Sequence, residues 1–286
     1  MTSVLIGLVG AGIQQSHAPL LHQREGDRQG IRLLYTTIDS QHRGLADADL
    51  PDLLRWARRL GYRGLNVTHP FKQQVVGHLD ELCGEAAVLG AVNTVVFDDD
   101  ATRGFNTDAS GFRLSFARSF PDAARDRVVQ LGAGGAGAAV AHALLVLGIG
   151  RLTLVDTDAT RTGPLVETLA REFGAERVTA AGHARLSDLL AAADGLVNAT
   201  PVGMAHHPGS PVAVSDLRPD LWVADIVYRP IDTPLLRAAR AAGAPTLHGG
   251  GMSVFQAVAA FELFTGRPAD AESMLGHSTE LLAAGR

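Results

Sequence analysis

Cysteine is almost absent from this sequence: Cys83 is the only one in 286 residues. One cysteine excludes an intrachain disulfide framework and a cysteine-rich zinc site, as expected of a chain kept in a reducing cytoplasm. Aromatic residues are scarce at 5%, and basic residues form no extended run. With 25 basic and 30 acidic residues the net charge is −5, so the electrostatic footprint of nucleic-acid binding is missing. No apolar run approaches the roughly 18 residues that a membrane span requires. The opening MTSVLIGLVGAG lacks a basic flank and a cleavage site, and reads as a first strand rather than an export signal. These absences predict a cytoplasmic protein with no nucleic-acid, membrane or metal partner, as a monomer or a homodimer.

Hydrophobic residues make up 46% of the chain, and 32 residues are glycine. Small residues allow helices to pack closely on a sheet, which suits a layered α/β protein. Apolar runs alternate with helix-like stretches in the manner of βαβ units. Strands are predicted at 4–10, 33–39, 64–68, 91–99 and 101–106. Helices are predicted at 16–26, 48–60, 72–82 and 108–120. The pattern restarts at Arg127, with strand, glycine turn and helix over 128–148, a strand at 151–158 and a helix at 162–174. RVTAAG, the SDLLAAA helix, GLVNATP, LWVADIVY and APTLHG supply the remaining units. The break between halves falls near residue 107, and helices after 252 are placed to return to the first half.

GAGGAG at 132–137 follows the apolar strand VVQL and opens an Ala-rich helix. Gly132, Gly134 and Gly137 therefore fit G-x-G-x-x-G in the strand–turn–helix context that dinucleotide binding needs. Gly132 would make the tight turn, Gly134 would admit the pyrophosphate, and Gly137 would let helix and strand pack closely. Ala133, Gly135 and Ala136 complete the turn, whose helix N-terminus offers N–H groups to an anion. Asp156 and Asp158, in VDTD, follow roughly 20 residues later, where a carboxylate can accept from an adenosine ribose and would repel a 2′-phosphate. That favours NAD, with NADP possible, because Arg161 could meet a phosphate. Either aspartate could instead cap the helix beginning near Thr160 or Thr162.

Hydride transfer to a nicotinamide also needs a group to move the alcohol proton, and a lysine held by a carboxylate can do so. Lys72, in NVTHPFK, and Asp108, in GFNTD, are the candidates. A solvated first-turn lysine is the alternative for Lys72, and strand termination or turn capping the alternative for Asn66 and Thr68.

NVTHPFK (66–72), GAVNTVV (90–96), GFNTDASGF (104–112), GAGGAG, NATPVGM (198–204), DIVYRPIDTPLL (225–236) and GGGMSVFQAVAAFELFTG (249–266) occur in this order. Together they resemble the signature segments of the shikimate dehydrogenase family over nearly the whole chain. The resemblance implies an N-terminal α/β substrate domain with a mixed sheet plus a Rossmann-type dinucleotide-binding domain, with the active site in the cleft between them. It divides the chain into a substrate-binding catalytic domain (1–107), an NAD(P)-binding domain (108–250) and C-terminal helices (251–286). It makes Lys72 and Asp108 the catalytic pair, and places Asn66, Thr68, Asn93 and Gln256 on the hydroxyls of a cyclic polyol carboxylate. Tyr228 falls near the substrate carboxylate and Ser16 hydrogen-bonds it. Thr200, Val202 and Met252 line the cofactor.

Two departures stand out. VDTDATR lacks the asparagine-arginine-threonine signature of the NADP-specific enzymes and looks more like the NAD-preferring quinate/shikimate dehydrogenases. In QSHAP (15–19) Ser16 is retained, but Ala18 replaces a second hydroxyl residue, removing one bond to the substrate carboxylate unless His17 or Arg24 compensates. The expected activity is NAD-preferring quinate/shikimate-type oxidoreduction. An aminated analogue as substrate, or a non-catalytic dinucleotide-binding regulator, are the alternatives.

Overall fold

The computed structural model describes residues 3–98 and 100–284. The chain divides into two compact units: unit 1 comprises the segment up to Gly111 and that from Val254 onward, and unit 2 comprises Phe112–Ser253. The expected boundaries at 107 and 250 lie a few residues earlier, because each crossover runs through a helix.

Unit 1 contains β1 (Ser3–Gly10), α1 (Ala18–Arg28), β2 (Arg32–Asp39), α2 (Ser40–Arg43), α3 (Leu50–Arg59), β3 (Gly64–Val67), β4 (Glu81–Leu82), α4 (Glu85–Leu89), β5 (Thr94–Phe97), β6 (Thr102–Phe105) and the start of α5 (Thr107–Ser119). Its sheet has the order β2-β1-β3-β5-β6-β4. It is mixed, since β1 runs parallel to β2 and β3 while β5 is antiparallel to β3 and β6. On one face Leu50, Leu54 and Ala57 of α3 bury Leu65, Val67 and Val95. On the other, Ile6, Leu33 and Tyr35 meet Phe261 and Phe264, each such side chain contributing about 1.5–3 kcal/mol by leaving water.

Unit 2 continues with β7 (Arg127–Leu131), α6 (Gly135–Val146), β8 (Arg151–Val155), α7 (Ala159–Phe173), β9 (Val178–Ala181), α8 (Leu186–Ala191), β10 (Gly195–Asn198), β11 (Trp222–Asp225), α9 (Pro234–Ala241) and β12 (Thr246–His248). All six strands are parallel, in the order β12-β11-β10-β7-β8-β9. Strands β10 and β11 are buried along their full length, as helices on both faces of a parallel sheet require. The order reverses between β7 and β10, which makes the end of β7 the switch point where such sheets bind ligands. Helix α10 (Gly250–Thr265) begins in unit 2 and ends in unit 1, followed by α11 (Ala271–Ala283). Met274 and Leu281 of α11 pack with Leu21 of α1.

Several elements differ from expectation. The helix predicted at 72–82 is a 3-10 turn at Gln74–His78 followed by β4. Val75, Val76 and Gly77 disfavour an α-helix, and Glu81 and Leu82 pair instead with β6. The strand predicted at 151–158 stops at Val155, and α7 starts three residues before the expected 162, because Asp158 caps it. The 91–99 strand is confined to Thr94–Phe97; residue 99, like 1–2 and 285–286 of the predicted domains, lies outside the described residues. Helices α2 and α4 were not anticipated. Asp39 caps α2 by accepting from the Gln41 and His42 N–H groups, and Gly44 ends it in the left-handed region.

Candidate active site

In unit 1, β3 ends in a turn whose backbone is fixed from both sides. Thr68 N–H donates to Val9 O at 2.9 Å, and Phe71 N–H to Thr68 O at 2.9 Å. The Phe71 ring is buried with Val67, Val75 and Val92, and Lys72 O accepts from Val92 N–H at 2.8 Å. Lys72 is thereby aimed inward, its side chain 17% exposed, and Nζ donates to Asp108 Oδ2 at 2.5 Å. Asp108 lies in the first turn of α5, where the helix dipole favours a carboxylate. Lys72 is also the only lysine in the chain; the other 24 basic residues are arginines. A guanidinium cannot give up its proton near neutral pH, whereas this ammonium can.

Around the pair stands a set of neutral amides and hydroxyls. Asn93 Nδ2 donates to Asp108 Oδ1 and to Thr107 Oγ1, each at 2.9 Å, while its Oδ1 accepts from Thr107 N–H at 2.8 Å. Asn66 Nδ2 donates to Thr94 Oγ1 at 3.0 Å, and Thr107 Oγ1 approaches Gln256 Oε1 at 3.5 Å. Thr94 O–H donates in turn to Asn93 Oδ1, so Lys72, Asp108, Asn66, Asn93 and Gln256 belong to one connected cluster. Sequence reasoning missed three members: Tyr35, whose O–H donates to Asn66 Oδ1, and Thr94 and Thr107, although these two adjoin Asn93 and Asp108 in the quoted motifs. Thr68 is half-buried in the turn, outside that chain of bonds.

Ser16 Oγ accepts from Ala18 N–H at 3.3 Å and thus shapes the entry to α1. The preceding loop is held by Asp39, whose carboxylate accepts from Gly12 and Ile13 N–H groups. Burial pushes the Asp39 pKa upward, but these donors, with those of Gln41 and His42, bring it below the ordinary value. Arg24 is engaged by Glu280 at 2.5 Å, and His17 is buried.

Unit 2 builds a different kind of site. Gly132 has φ +94°, and a Cβ there would lie 2.6 Å from Ala199 O. A Cβ on Gly137 would lie 2.3 Å from Gly132 O. At Gly134 nothing approaches the Cβ position, which leaves the backbone open where α6 begins. Gln130, fully buried, donates to Gly132 O at 2.9 Å and Gly137 O at 2.8 Å. Asp156 accepts from Ala133 N–H at 2.8 Å and Asp158 N–H at 2.9 Å, bracing the turn from the end of β8. This open, pre-shaped turn through Gly135 and Ala136 fits a pyrophosphate.

Asp158 caps α7, accepting from Thr160 N–H at 3.0 Å and Thr160 Oγ1 at 2.6 Å, and pairs with Arg161 Nε at 3.2 Å. The bonds from Thr160 and the nearby Arg161 hold its carboxyl below the usual range. Capping and ribose contact are compatible, because a carboxylate has lone pairs to spare. Thr200 Oγ1 donates to Asn198 Oδ1 at 2.6 Å, and Val202 O accepts from Asn198 Nδ2 at 3.0 Å. Asn198 Nδ2 also donates to Asp225 Oδ1 at 2.9 Å. Burial pushes Asp225 up to about 6. Met252 is buried and Tyr228 is 42% exposed, both in unit 2.

Known proteins resemble this chain along nearly its whole length. Residues 8–95 match the profile of the shikimate dehydrogenase substrate binding domain, and residues 249–276 that of the shikimate 5'-dehydrogenase C-terminal domain. A Streptomyces avermitilis protein named shikimate dehydrogenase (NADP(+)) is 56% identical over 98% of this chain and 96% of its own. A Corynebacterium glutamicum protein named quinate/shikimate dehydrogenase (NAD(+)) is 47% identical over 95% of this chain and 96% of its own. The solved structure of quinate dehydrogenase from Corynebacterium glutamicum in complex with NAD superposes with a TM-score of 0.94 at 46% identity, over 98% of this chain and all of that one.

Proposed function

The chain belongs to the shikimate dehydrogenase family, and from that premise we propose that it is an NAD(P)-dependent oxidoreductase interconverting a ring alcohol and ketone of shikimate or quinate. The observation that carries the reading is the sole lysine, bonded to Asp108 inside a cluster of neutral amides and hydroxyls. When bound, the nicotinamide accepts or returns the hydride. In oxidation Lys72, as the amine, takes the hydroxyl proton; in reduction its ammonium polarises the ketone and gives the proton back. Asp108 and Asn93 fix where Nζ stands, which turns proton transfer into a pre-oriented step. Asn66, Asn93, Thr68 and Gln256 suit a polyol, since each can donate and accept, and a substrate lacking a hydroxyl would leave one of them unpaired. Ser16 and Tyr228 serve the carboxylate, with Ala18 in place of a second hydroxyl.

Gly132 to Gly137 hold the pyrophosphate, with Thr200, Val202 and Met252 alongside the cofactor. NAD is the preferred form. Within 156–161 Arg161 is the only cation, and it is paired with Asp158, so a 2′-phosphate would meet two carboxylates before any free positive charge. The two relatives divide on this point by name, NADP(+) at 56% and NAD(+) at 47% identity, which leaves the turn itself as the basis for the choice.

Initial rates with shikimate and with quinate, each paired with NAD and with NADP, test the reading. Turnover with NAD at least about tenfold more efficient than with NADP is expected. An NADP preference would overturn the role given to Asp158. Inactivity in all four pairs, with cofactor binding intact, would overturn the substrate assignment and direct attention through Ala18 to an aminated analogue.

A further inference from the structure

Tyr35 and Thr94 lie outside the groups assigned to substrate or cofactor, yet both are fixed into the polar cluster of unit 1. Tyr35 O–H donates to Asn66 Oδ1 at 2.8 Å. Asn66 Nδ2 donates to Thr94 Oγ1 at 3.0 Å, Thr94 O–H to Asn93 Oδ1 at 3.1 Å, and Asn93 Nδ2 to Asp108 Oδ1 at 2.9 Å. Asp108 Oδ2 then accepts from Lys72. Every link donates in the same sense, from the phenol toward the carboxylate.

The direction is forced at both ends. A carboxylate only accepts, so Asn93 must turn its NH₂ to Asp108, and the Thr107 N–H requires Asn93 Oδ1 on the other side. Thr94 must then give its proton to Asn93, leaving its lone pairs for Asn66 Nδ2. Asn66 accordingly presents its carbonyl to a donor, and Tyr35 is that donor. Asn66 and Thr94 face each other in the register of β3 and β5. The Tyr35 ring is held in place by His22, with centroids 5.0 Å apart, and burial pushes the phenol pKa up, so it remains a neutral donor. Aligned hydrogen bonds in a buried site strengthen one another.

We infer that Tyr35 and Thr94 are positioning residues, which set the amide orientation of Asn66 toward the substrate hydroxyls and steady the Asn93–Asp108–Lys72 end of the chain. This rests on the function proposed above for Asn66, Asn93 and Lys72. The position of each residue along the chain predicts a graded effect. Within the chain of bonds Tyr35 reaches only Asn66, so its loss acts on substrate binding; Thr94 stands between Asn66 and Asn93, so its loss acts on binding and turnover together.

The test is steady-state kinetics of Tyr35→Phe, Thr94→Val and Thr94→Ser beside the wild type, with the cofactor KM and thermal unfolding as controls. Tyr35→Phe should raise the KM for the cyclic substrate about five- to tenfold and change kcat less than about twofold. Thr94→Val should raise KM about tenfold and lower kcat about tenfold, while Thr94→Ser, which keeps the hydroxyl, should stay within about threefold of wild type. The KM for cofactor should be unchanged throughout. Equal kinetics for Thr94→Val and Thr94→Ser, or a wild-type substrate KM in a folded Tyr35→Phe protein, would overturn the inference while the proposed function stands. If Thr94→Val does not fold, Tyr35→Phe and Thr94→Ser still decide it. A wild-type protein inactive with every substrate and cofactor pair would instead overturn the functional reading on which the inference rests.

Discussion

The two units assemble their polar sites by opposite means. In unit 1, side chains bond to side chains: Lys72 to Asp108, Asp108 to Asn93, and onward through Thr94 and Asn66 to Tyr35. In unit 2, side chains hold backbone. Gln130 grips two carbonyls of the glycine turn, Asp156 takes the Ala133 and Asp158 N–H groups, and Asn198 takes the Val202 carbonyl. A polyol with several hydroxyls calls for many separately aimed donors and acceptors, whereas a pyrophosphate calls for a row of main-chain N–H groups. Unit 1 should therefore be vulnerable to the removal of single functional atoms, and unit 2 to the addition of bulk.

Lys72→Ala gives the largest expected effect, a fall in kcat of about 10²- to 10⁴-fold, the usual range for a lost acid/base group. Thermal unfolding should move little, and Lys72→Arg should fail similarly because a guanidinium cannot give up its proton. Near-normal turnover by either variant would break the unit 1 half of the comparison. Its counterpart is Gly137→Ala, whose one added carbon would lie 2.3 Å from Gly132 O. Loss of at least about tenfold in NADH affinity by fluorescence titration is expected. An alanine variant binding normally would refute the close-packed turn.

Acid should separate the units further. His22 is wholly buried in unit 1, with Nδ1 on Ala18 O at 2.9 Å, and burial lowers its pKa from 6.5 to about 4. Because the folded pKa lies below the unfolded one, its contribution is complete above pH 6.5 and is lost as pH falls toward 4; over that window about 3 kcal/mol is at stake. Denaturant melts across this range should show the loss, and a His22→Phe protein should show a shallower slope. An unchanged slope would remove His22 as its source. The smallest effect belongs to Asp158→Ala, which should lower stability by about 1 kcal/mol through the lost α7 cap and narrow the NAD-over-NADP ratio in the same assay. A cap loss with an unchanged cofactor ratio would show that Asp158 serves the helix alone.

Much of this arrangement is legible in the residues. The turn at 132–137, the alternation of strands and helices and the Lys72–Asp108 candidates depend on local chemistry and on motifs that keep their spacing. In the 72–82 segment, pairing of Glu81 and Leu82 with β6 overrides a helix-like beginning. Tyr35 was invisible for another reason: on β2 it is an ordinary strand aromatic, and only the fold brings its hydroxyl to Asn66, 31 residues away. The uniqueness of Lys72 needed no structure at all. In a chain whose other cations are all arginine, it weighs against a merely solvated lysine more directly than any motif.

The split of unit 1 across the chain orders its biogenesis. Unit 2 is one continuous stretch, so none of its strands waits for residues made after Ser253. Unit 1 must wait: Phe261 and Phe264 cover Ile6 and Leu33, and Met274 and Leu281 cover Leu21. Until those late residues arrive, the segment carrying the lysine–aspartate pair leaves apolar sheet uncovered, and surface exposed in that way during synthesis favours aggregation.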